Sequence, residues 1–270
     1  AVCQARTACT NSAQLSEEIV QALLRRYPSR FSLYEESPVS ELHLEEVGPV
    51  LHVGHCQVRA KQVVMCTNGF EQFRIVHHGG SDVNGQVHRD IRGLVSFMQG
   101  HVVPVEQPTK ALSYYTNSQK SADADDPSAA EAFVYLTRRP FGLPGAEKRG
   151  LVCIGGPETG LPEEQIYAYD QAVPPAITQE FHSFLAGSPL GAHADAHHPA
   201  FEWHGLMGYT HGRVRCVGRE PCYEKLLYNL GCNGIGIMTS IYGGKRIAGL
   251  LLGNDDGAHL FDPKLRVCRV

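Results

Sequence analysis

No stretch of this sequence is apolar over the roughly 18 residues that a membrane-spanning helix needs. The C-x-x-C and H-E-x-x-H spacings of common zinc sites are absent, and so is the G-x-S-x-G turn of serine hydrolases. The 270 residues include 24 Lys and Arg against 28 Asp and Glu, so the chain carries no excess of positive charge. These absences argue against a membrane span, a metalloprotease, a serine hydrolase and electrostatic binding of nucleic acid.

The cysteines and histidines that are present form no familiar metal-binding pattern. The nine cysteines are odd in number, and several, such as Cys153, lie in apolar runs. Free buried thiols in a reducing compartment are therefore expected. Because the sequence also shows no recognisable signal peptide, we predict a cytoplasmic protein. His193, His197 and His198 could bind a metal with Asp195, but the glycine and proline that border them predict a solvated loop. We therefore predict no metal site.

The most informative stretch lies near the C-terminal end. A short strand, Leu226 to Leu230, is followed by Gly231, Gly234 and Gly236 and then by a helix from about Ile237 to Leu252. A helix that begins in a glycine turn presents unpaired N–H groups and the positive end of its dipole, which suit an anionic or electron-rich ligand atom. The helix is expected to have one apolar face, formed by Ile237, Ile241, Ala248, Leu251 and Leu252.

Two other interpretations of this turn are open from the residues alone. One is a dinucleotide-binding fingerprint, but the glycines follow G-x-x-G-x-G rather than G-x-G-x-x-G. That fold also needs a second strand with an acidic residue about 20 positions on. Asp255 and Asp256 lie near that distance, but Phe261-Asp-Pro263 is typical of a closing turn rather than a buried strand. The other interpretation is a packing turn without a ligand, which an isolated match would favour.

Two further segments that form recognisable motifs lie upstream of this turn. Residues 58–70 contain the short apolar run Val63-Val-Met65 and end in Cys-Thr-Asn-Gly-Phe, and residues 202–218 run from Glu-Trp-His-Gly to Cys-Val-Gly. With residues 226–253, they resemble three motifs of the FAD-dependent D-amino acid oxidase superfamily, which includes glycine oxidase and sarcosine oxidase. The resemblance extends from about Asn11 to Pro263, and three motifs in the right order are more specific than any one of them.

The resemblance implies an α/β (α+β) fold with two domains. Residues 1–86 and 200–270 would form a portion of an FAD-binding domain, and residues 87–199 an antiparallel β substrate domain with helices. FAD is the implied cofactor. Some relatives attach it through a cysteine at the position of Met207, so here the implied binding is non-covalent. The implied FAD-binding residues are Thr67, Asn68, Gly69, Asn233, Gly234, Ile235, Gly236, Ile237 and Met238.

The family's N-terminal dinucleotide-binding unit, with its G-x-G-x-x-G motif, has no counterpart in this sequence. By comparison with the family, roughly the first third of an ordinary member is missing. A processed or split protein, a fragment and a truncated gene product all agree with that observation. The partners to expect are a small amine or amino-acid substrate and, for a split protein, a separate N-terminal chain that carries the dinucleotide-binding unit.

A substrate that bears a carboxylate needs a cation, and arginine is the usual bidentate partner. Arg138 and Arg139 end a predicted strand of the substrate domain that includes Tyr135. Alternation along the strand places Tyr135 and Arg139 on one face, so Arg139 precedes Arg138 as candidate clamp. Two solvated arginines at a strand end are an equally good interpretation. By resemblance, Tyr209 contacts the flavin ring or the substrate. Second candidates for the clamp are Arg213 and Arg215.

The sequence therefore indicates an FAD-dependent oxidoreductase that oxidises a C–N bond of an amino acid or amine by hydride transfer to flavin. The alternative is a flavin-free remnant or pseudoenzyme with a structural or binding role. The missing G-x-G-x-x-G unit favours the alternative, whereas the intact Gly231 to Gly236 turn and the Thr67-Asn-Gly69 strand end favour the enzyme.

Periodicity predicts the remaining elements. Helices are expected over residues 11–27 and 162–186, the second one interrupted at Pro174-Pro175. Strands are expected over residues 31–35, 39–45, 50–53, 62–66, 95–98, 102–105, 111–115, 132–137 and 151–154.

Overall fold

The structure, a computed structural model, divides into two compact units. Unit 1 comprises residues 1–19, 95–160 and 167–205, and unit 2 comprises residues 20–94, 161–166 and 206–270. Helices and several sheets together give the mixed α/β (α+β) fold that the sequence predicts. The residues that the structure describes are 10–68, 73–104, 110–115, 133–142, 149–161, 167–188, 198–254 and 257–263.

The first described element is helix α1 (Ser12–Arg26). Asn11 caps it, because its side-chain Oδ1 accepts a hydrogen bond from the backbone N–H of Gln14 at 3.3 Å. None of the helix residues is buried. The helix predicted over residues 11–27 is therefore confirmed, and it owes little to core packing.

Unit 2 contains a four-stranded sheet in the order β3-β2-β1-β5. Strands β1 and β2 pair antiparallel, and β5 runs parallel to β1. Leu42 and Leu44 on β1 are buried in the core, whereas Glu41 and His43 lie on the opposite, more open face. The strands are β1 (Val39–Leu44), β2 (Pro49–Val53), β3 (Cys56–Arg59) and β5 (Arg74–His77).

A second sheet of unit 2 has three strands in the order β11-β12-β4, with β12 antiparallel to β11 and parallel to β4. Both of its faces are covered at the centre of β12, where Leu226, Leu227 and Tyr228 are consecutive buried residues. Tyr228 packs into a core shared with Leu42, while Leu227 packs against Ile247 of a C-terminal helix. The elements are β4 (Val63–Met65), α2 (Val83–Asp90), β11 (Cys216–Glu220), β12 (Tyr223–Leu230) and α4 (Gly236–Leu251).

The third sheet has five strands in the order β10-β6-β9-β8-β7. Antiparallel pairing of β7 with β8 and of β8 with β9 sets Leu136 opposite Ile154, and both side chains are completely buried. Helix α3 buries Ile177, Phe181 and Leu185. The elements are β6 (Ile91–Val103), β7 (Lys110–Tyr115), β8 (Phe133–Phe141), β9 (Arg149–Gly160), α3 (Pro175–Gly187) and β10 (Phe201–Thr210).

Two of the strand predictions are wrong. Residues 31–35 form no strand, and Tyr34 is 79% exposed, so no apolar face is available to stabilise one. A single strand, β6, replaces the two predicted at residues 95–98 and 102–105. Gly100 does not interrupt it, because the missing Cβ leaves room for the rings of Phe201 and Trp203.

The helix predicted over residues 162–186 begins only at Pro175. Pro174 has the extended ψ of 137° and stands at the N-cap, and residues 167–174 before it are not helical. Residues 162–166 lie outside the described residues. Strands β3, β5, β10 and β11 and helix α2 were not predicted.

Helix α4 packs on the sheet with a different face from the one predicted. Gly243, Ile247 and Leu250 are buried, whereas Ile237 and Ile241 are 43% and 58% exposed. The reason is that glycine at the contact lets the helix approach the Asn229 side chain on β12, where a Cβ would collide with the carboxamide. Leu251 and Leu252 of the predicted face are likewise exposed, at the end of the helix.

The cysteines also differ from expectation in one respect. Cys222 is disulfide-bonded, whereas a free thiol was predicted for every cysteine. Free thiols are observed at Cys56, Cys66, Cys153, Cys216 and Cys232. Among the helices of the described residues, none has the length and apolar character needed to cross a membrane.

Candidate functional site

The turn between β12 and α4 has a backbone conformation that few residues adopt. Gly231, Asn233 and Gly234 have φ values of 77°, 49° and 80°, in the left-handed region that favours glycine and asparagine. A Cβ on Gly234 would also lie 2.9 Å from the hydroxyl oxygen of Tyr209. Gly236 has no positive φ and is the first residue of the helix. Of the two central glycines, Gly234 is therefore the one whose replacement is strained.

Two asparagine side chains hold this turn in place. Asn68, which follows β4, accepts a hydrogen bond from the Cys232 backbone N–H through Oδ1 at 2.9 Å. Asn233 accepts one from the Thr210 backbone N–H at 2.8 Å, and its Nδ2 donates to Thr210 Oγ1 at 3.1 Å. The turn is thereby fixed to the end of β4 on one side and to the end of β10 on the other.

The start of α4 is uncapped and apolar. The N-cap residue is Ile235, which offers no side-chain acceptor, and the first turn contains no acidic residue. The first N–H groups of the helix therefore lack the side-chain partner that usually satisfies one of them. Ile235 and Met238 are 73% and 75% exposed. An apolar surface thus surrounds the positive end of a helix dipole.

A buried arginine lies beside the first turn of α4. Arg215 is 7% exposed and donates to Asn229 Oδ1 at 2.9 Å, Thr239 Oγ1 at 3.1 Å and Ser240 Oγ at 3.2 Å. Within the described part of the chain, no carboxylate pairs with it, and its Nε has no hydrogen-bond partner. Burial lowers the pKa of this guanidinium, but arginine stays charged in proteins. Two sources of positive potential therefore meet at the turn.

A cavity of about 250 Å³ opens next to this arginine, entirely within unit 2. Thr210, His211 and Cys216 line it together with Arg215. Its volume is below the roughly 300–1,000 Å³ of pockets that enclose a drug-sized ligand. It can accept one group of a larger molecule but not the whole of it.

Strand β8 places the two candidate arginines on opposite faces of the five-stranded sheet. Arg138 is 6% exposed and lies opposite Val152, and burial lowers the pKa of its guanidinium. Arg139 is half-buried and shares its face with Tyr135. The Tyr135 hydroxyl donates to Met98 Sδ at 2.7 Å, and burial raises its pKa. The pair is therefore not simply solvated, because one of the two arginines lies inside the fold.

The structure brings part of the predicted site together. Within unit 2, Asn68, Tyr209 and Thr210 surround the Asn233–Gly234 turn, whereas the β8 candidates belong to unit 1. Thr67 lies next to Asn68 and is exposed, and Gly69 lies outside the described residues. Sequence reasoning missed the polar residues that hold Arg215, since nothing in the spacing of Asn229, Thr239 and Ser240 indicates a shared contact.

A family model described as FAD dependent oxidoreductase (DAO) matches residues 5–250 of the chain. The chain belongs to this family. Among curated proteins, none matches it. Membership confirms the resemblance that the three sequence motifs carry, and it classes the chain with FAD-dependent oxidoreductases.

Solved structures agree with this family. Glycine oxidases from Geobacillus kaustophilus and Bacillus cereus match with TM-scores of 0.54 and 0.58, each at 16% identity over 87% of this chain. An iminodiacetate oxidase from a Chelativorans species matches with a TM-score of 0.54 at 14% identity over 92% of this chain. The matches cover 54%, 55% and 58% of those proteins, so the chain spans little more than half their length. At such identities the likeness concerns the fold alone.

Proposed function

We propose that this chain provides the flavin-binding turn and the substrate-binding sheet of an oxidoreductase that oxidises a C–N bond of an amino acid or amine. The observation that supports this most directly is the Gly231–Gly236 turn, which presents an uncapped helix start in a rigid frame. Family membership supports FAD as the cofactor. The glycine oxidases and the iminodiacetate oxidase support a small amino-acid or amine substrate.

The residues of the turn suit the edge of a flavin ring. The N–H groups of Gly236, Ile237 and Met238 can donate to a ring carbonyl oxygen, since no side chain caps them. The helix dipole and the Arg215 charge favour negative charge at that edge, an effect worth about 1 kcal/mol or more where partly buried. Ile235 offers exposed apolar surface to the flat ring.

FAD, when bound, supplies the acceptor for the hydride that leaves the substrate carbon. The chain's own part is to hold that carbon near the ring and to stabilise the negative charge that develops. Non-covalent binding is proposed, because Met207 stands where some relatives have the cysteine that attaches FAD.

Arg139 is the proposed clamp for a substrate carboxylate. It lies on the half-buried face of β8 with Tyr135, where a ligand could reach both side chains. Its forked guanidinium matches a carboxylate with two parallel hydrogen bonds. Arg138 is less suited, because its side chain lies on the buried face.

Flavin titration of the purified protein tests the proposal. FAD and riboflavin are added separately, and quenching of flavin fluorescence is followed. We expect weak but saturable quenching by both, because the proposed contacts are with the ring that the two molecules share, and this sequence has no G-x-G-x-x-G unit to bind the adenosine and pyrophosphate of FAD. A third titration with adenosine diphosphate should show no competition for riboflavin. Absence of saturable quenching with either flavin would overturn the proposal in favour of a flavin-free binding protein.

A further inference from the structure

Three metal-binding side chains meet on the open face of the four-stranded sheet. Glu41 and His43 are two residues apart on β1, so both side chains leave the same face. His52 on β2 lies directly opposite Glu41 in the antiparallel register. One potential ligand atom from each of the three lies within 4.8 Å of the other two.

The contacts within the cluster centre on His43. Its Nε2 lies 2.8 Å from Glu41 Oε2, and its ring centroid lies 4.6 Å from that of His52. On the other side of the ring, His43 Nδ1 lies 3.4 Å from Nε2 of His78, which follows β5. His43 therefore has a carboxylate at one ring nitrogen and a second imidazole at the other.

We propose that Glu41, His43 and His52 bind a Zn²⁺ ion. Zinc bonds of about 2.0–2.2 Å in tetrahedral geometry place ligand atoms about 3.4 Å apart. The observed spread of up to 4.8 Å closes to that value by rotation of side chains that the open face leaves room to move. Two imidazoles and one carboxylate suit zinc, whereas magnesium and calcium prefer oxygen ligands alone.

The surroundings of the cluster favour this assignment. The 2.8 Å contact between His43 Nε2 and Glu41 Oε2 already holds two of the three ligand atoms close together. Zinc would displace the proton by which His43 Nε2 bonds Glu41, and His78 Nε2 can then accept the Nδ1–H of His43. Arg74 lies opposite Glu41 on β5. Its positive charge acts against the binding of a cation on this face.

The ion would add a side-chain connection between strands that pair through their backbones. Its ligands come from β1 and β2, and His78 adds the end of β5. The site does not use the residues of the flavin-binding turn, so its failure and the failure of the proposed oxidoreductase function are separate results. Zinc that binds the folded state alone raises the melting temperature.

Isothermal titration calorimetry with ZnCl₂ tests the inference on the purified protein after treatment with a chelator. The Cys56→Ser background is used, because an exposed thiol at the start of β3 could bind zinc by itself. We expect one site per chain, an affinity at least about tenfold lower in His43→Ala and His52→Ala, and a smaller loss in His78→Ala.

His55→Ala is the matched control, because His55 is an exposed histidine in the loop between β2 and β3 and outside the cluster. It should bind zinc as the parent does, and zinc should raise the melting temperature of both. If a histidine variant does not fold, Glu41→Gln gives the same comparison with a smaller change of shape. Equal binding by the parent and the His43→Ala/His52→Ala double variant, or no binding by the parent, would overturn the inference.

Discussion

At the scale of single residues, Gly234 has a constrained position in the candidate site. Its φ is 80°, and a side chain there meets the Tyr209 hydroxyl. We expect Gly234→Val to lower the free energy of unfolding by about 1–3 kcal/mol and to abolish flavin binding, because the strained turn no longer presents the helix start. Circular dichroism melting and flavin fluorescence on the same sample measure both effects.

Gly244→Ala is the control for this change. It lies in the same helix, and a Cβ there meets nothing within 4 Å. It should bind flavin as the parent does and gain up to about 1 kcal/mol of stability, because alanine is the better helix former. A Gly234→Val protein that melts earlier but keeps full flavin affinity would mean that the turn serves packing alone.

Truncation of Arg139 and truncation of Arg138 are expected to change different properties of the protein, substrate binding in the first case and stability in the second. In a protein supplied with the dinucleotide-binding portion and given a carboxylate substrate, Arg139→Ala should raise KM by an amount equivalent to about 1.5–3 kcal/mol, and Arg139→Lys should restore only part. Arg138→Ala should instead lower stability, since its side chain lies inside the fold. Steady-state kinetics and thermal melts separate the two. Unchanged KM in a folded Arg139→Ala protein would reject this residue as the clamp.

His88 gives a pH dependence whose sign is fixed by its burial. Burial, opposed in part by Asp82, lowers its pKa from the ordinary 6.5. The folded protein thus holds the proton less tightly than the unfolded chain, so this contribution to stability is present above about pH 6.5 and is lost as pH falls through the folded pKa. His88→Asn should therefore lose less stability than the parent between about pH 7.5 and about pH 5.5, as urea unfolding would show. A parallel loss in both proteins would contradict it.

At the scale of elements, α4 is attached to the segment that follows it through a buried ion pair. Arg246, whose side chain is 4% exposed, donates to Asp262 Oδ1 at 2.5 Å, and Asp262 Oδ2 accepts the His259 backbone N–H at 2.6 Å. Asp262→Ala should cost about 1.5–3 kcal/mol, because it leaves a buried guanidinium without its carboxylate. Glu17→Ala on exposed α1 should be nearly neutral. Chemical denaturation measures both, and equal midpoints would contradict the expectation.

Elements were predictable from sequence where periodicity and length agreed. Helix α1 and strand β12 satisfy both conditions, and they lie where residues 11–27 and 226–230 place them. Strands β3 and β5 have four residues each, which is too few for hydrophobic periodicity to distinguish them from the neighbouring loops. The packing face of α4 could not be predicted, because apolar residues occupy more than one face and Gly243 determines which of them meets the sheet.

For the molecule as a whole, the free cysteines report on the integrity of the fold. Cys56 and Cys66 are exposed, whereas Cys153 and Cys232 are buried. Native alkylation should modify Cys56 first and Cys66 more slowly, because partial desolvation of its thiol by neighbouring atoms raises the pKa of Cys66. Cys153 should react only on unfolding. Peptide mass spectrometry after timed labelling measures the order, and early modification of Cys153 would contradict the described fold.

The family could be predicted from three sequence motifs, but the way the site is held could not. The Asn68 side chain supports Cys232 across 164 positions of sequence, and no local pattern indicates such a contact. Arg215 is similar, since its three acceptors come from β12 and from the first turn of α4. Motifs thus identify the segments that form the candidate site. Long-range hydrogen bonds determine which of their side chains support the turn, and a local sequence pattern does not reveal them.

The two asparagines that support the turn also determine how this protein ages. Each precedes a glycine in the sequence, Asn68-Gly69 and Asn233-Gly234, and asparagine is among the thermolabile residues. Deamidation of Asn233 would exchange the Nδ2 donor to Thr210 for an oxygen that cannot donate, and would add a negative charge near the uncapped start of α4. Warm storage should therefore erode flavin binding through this turn.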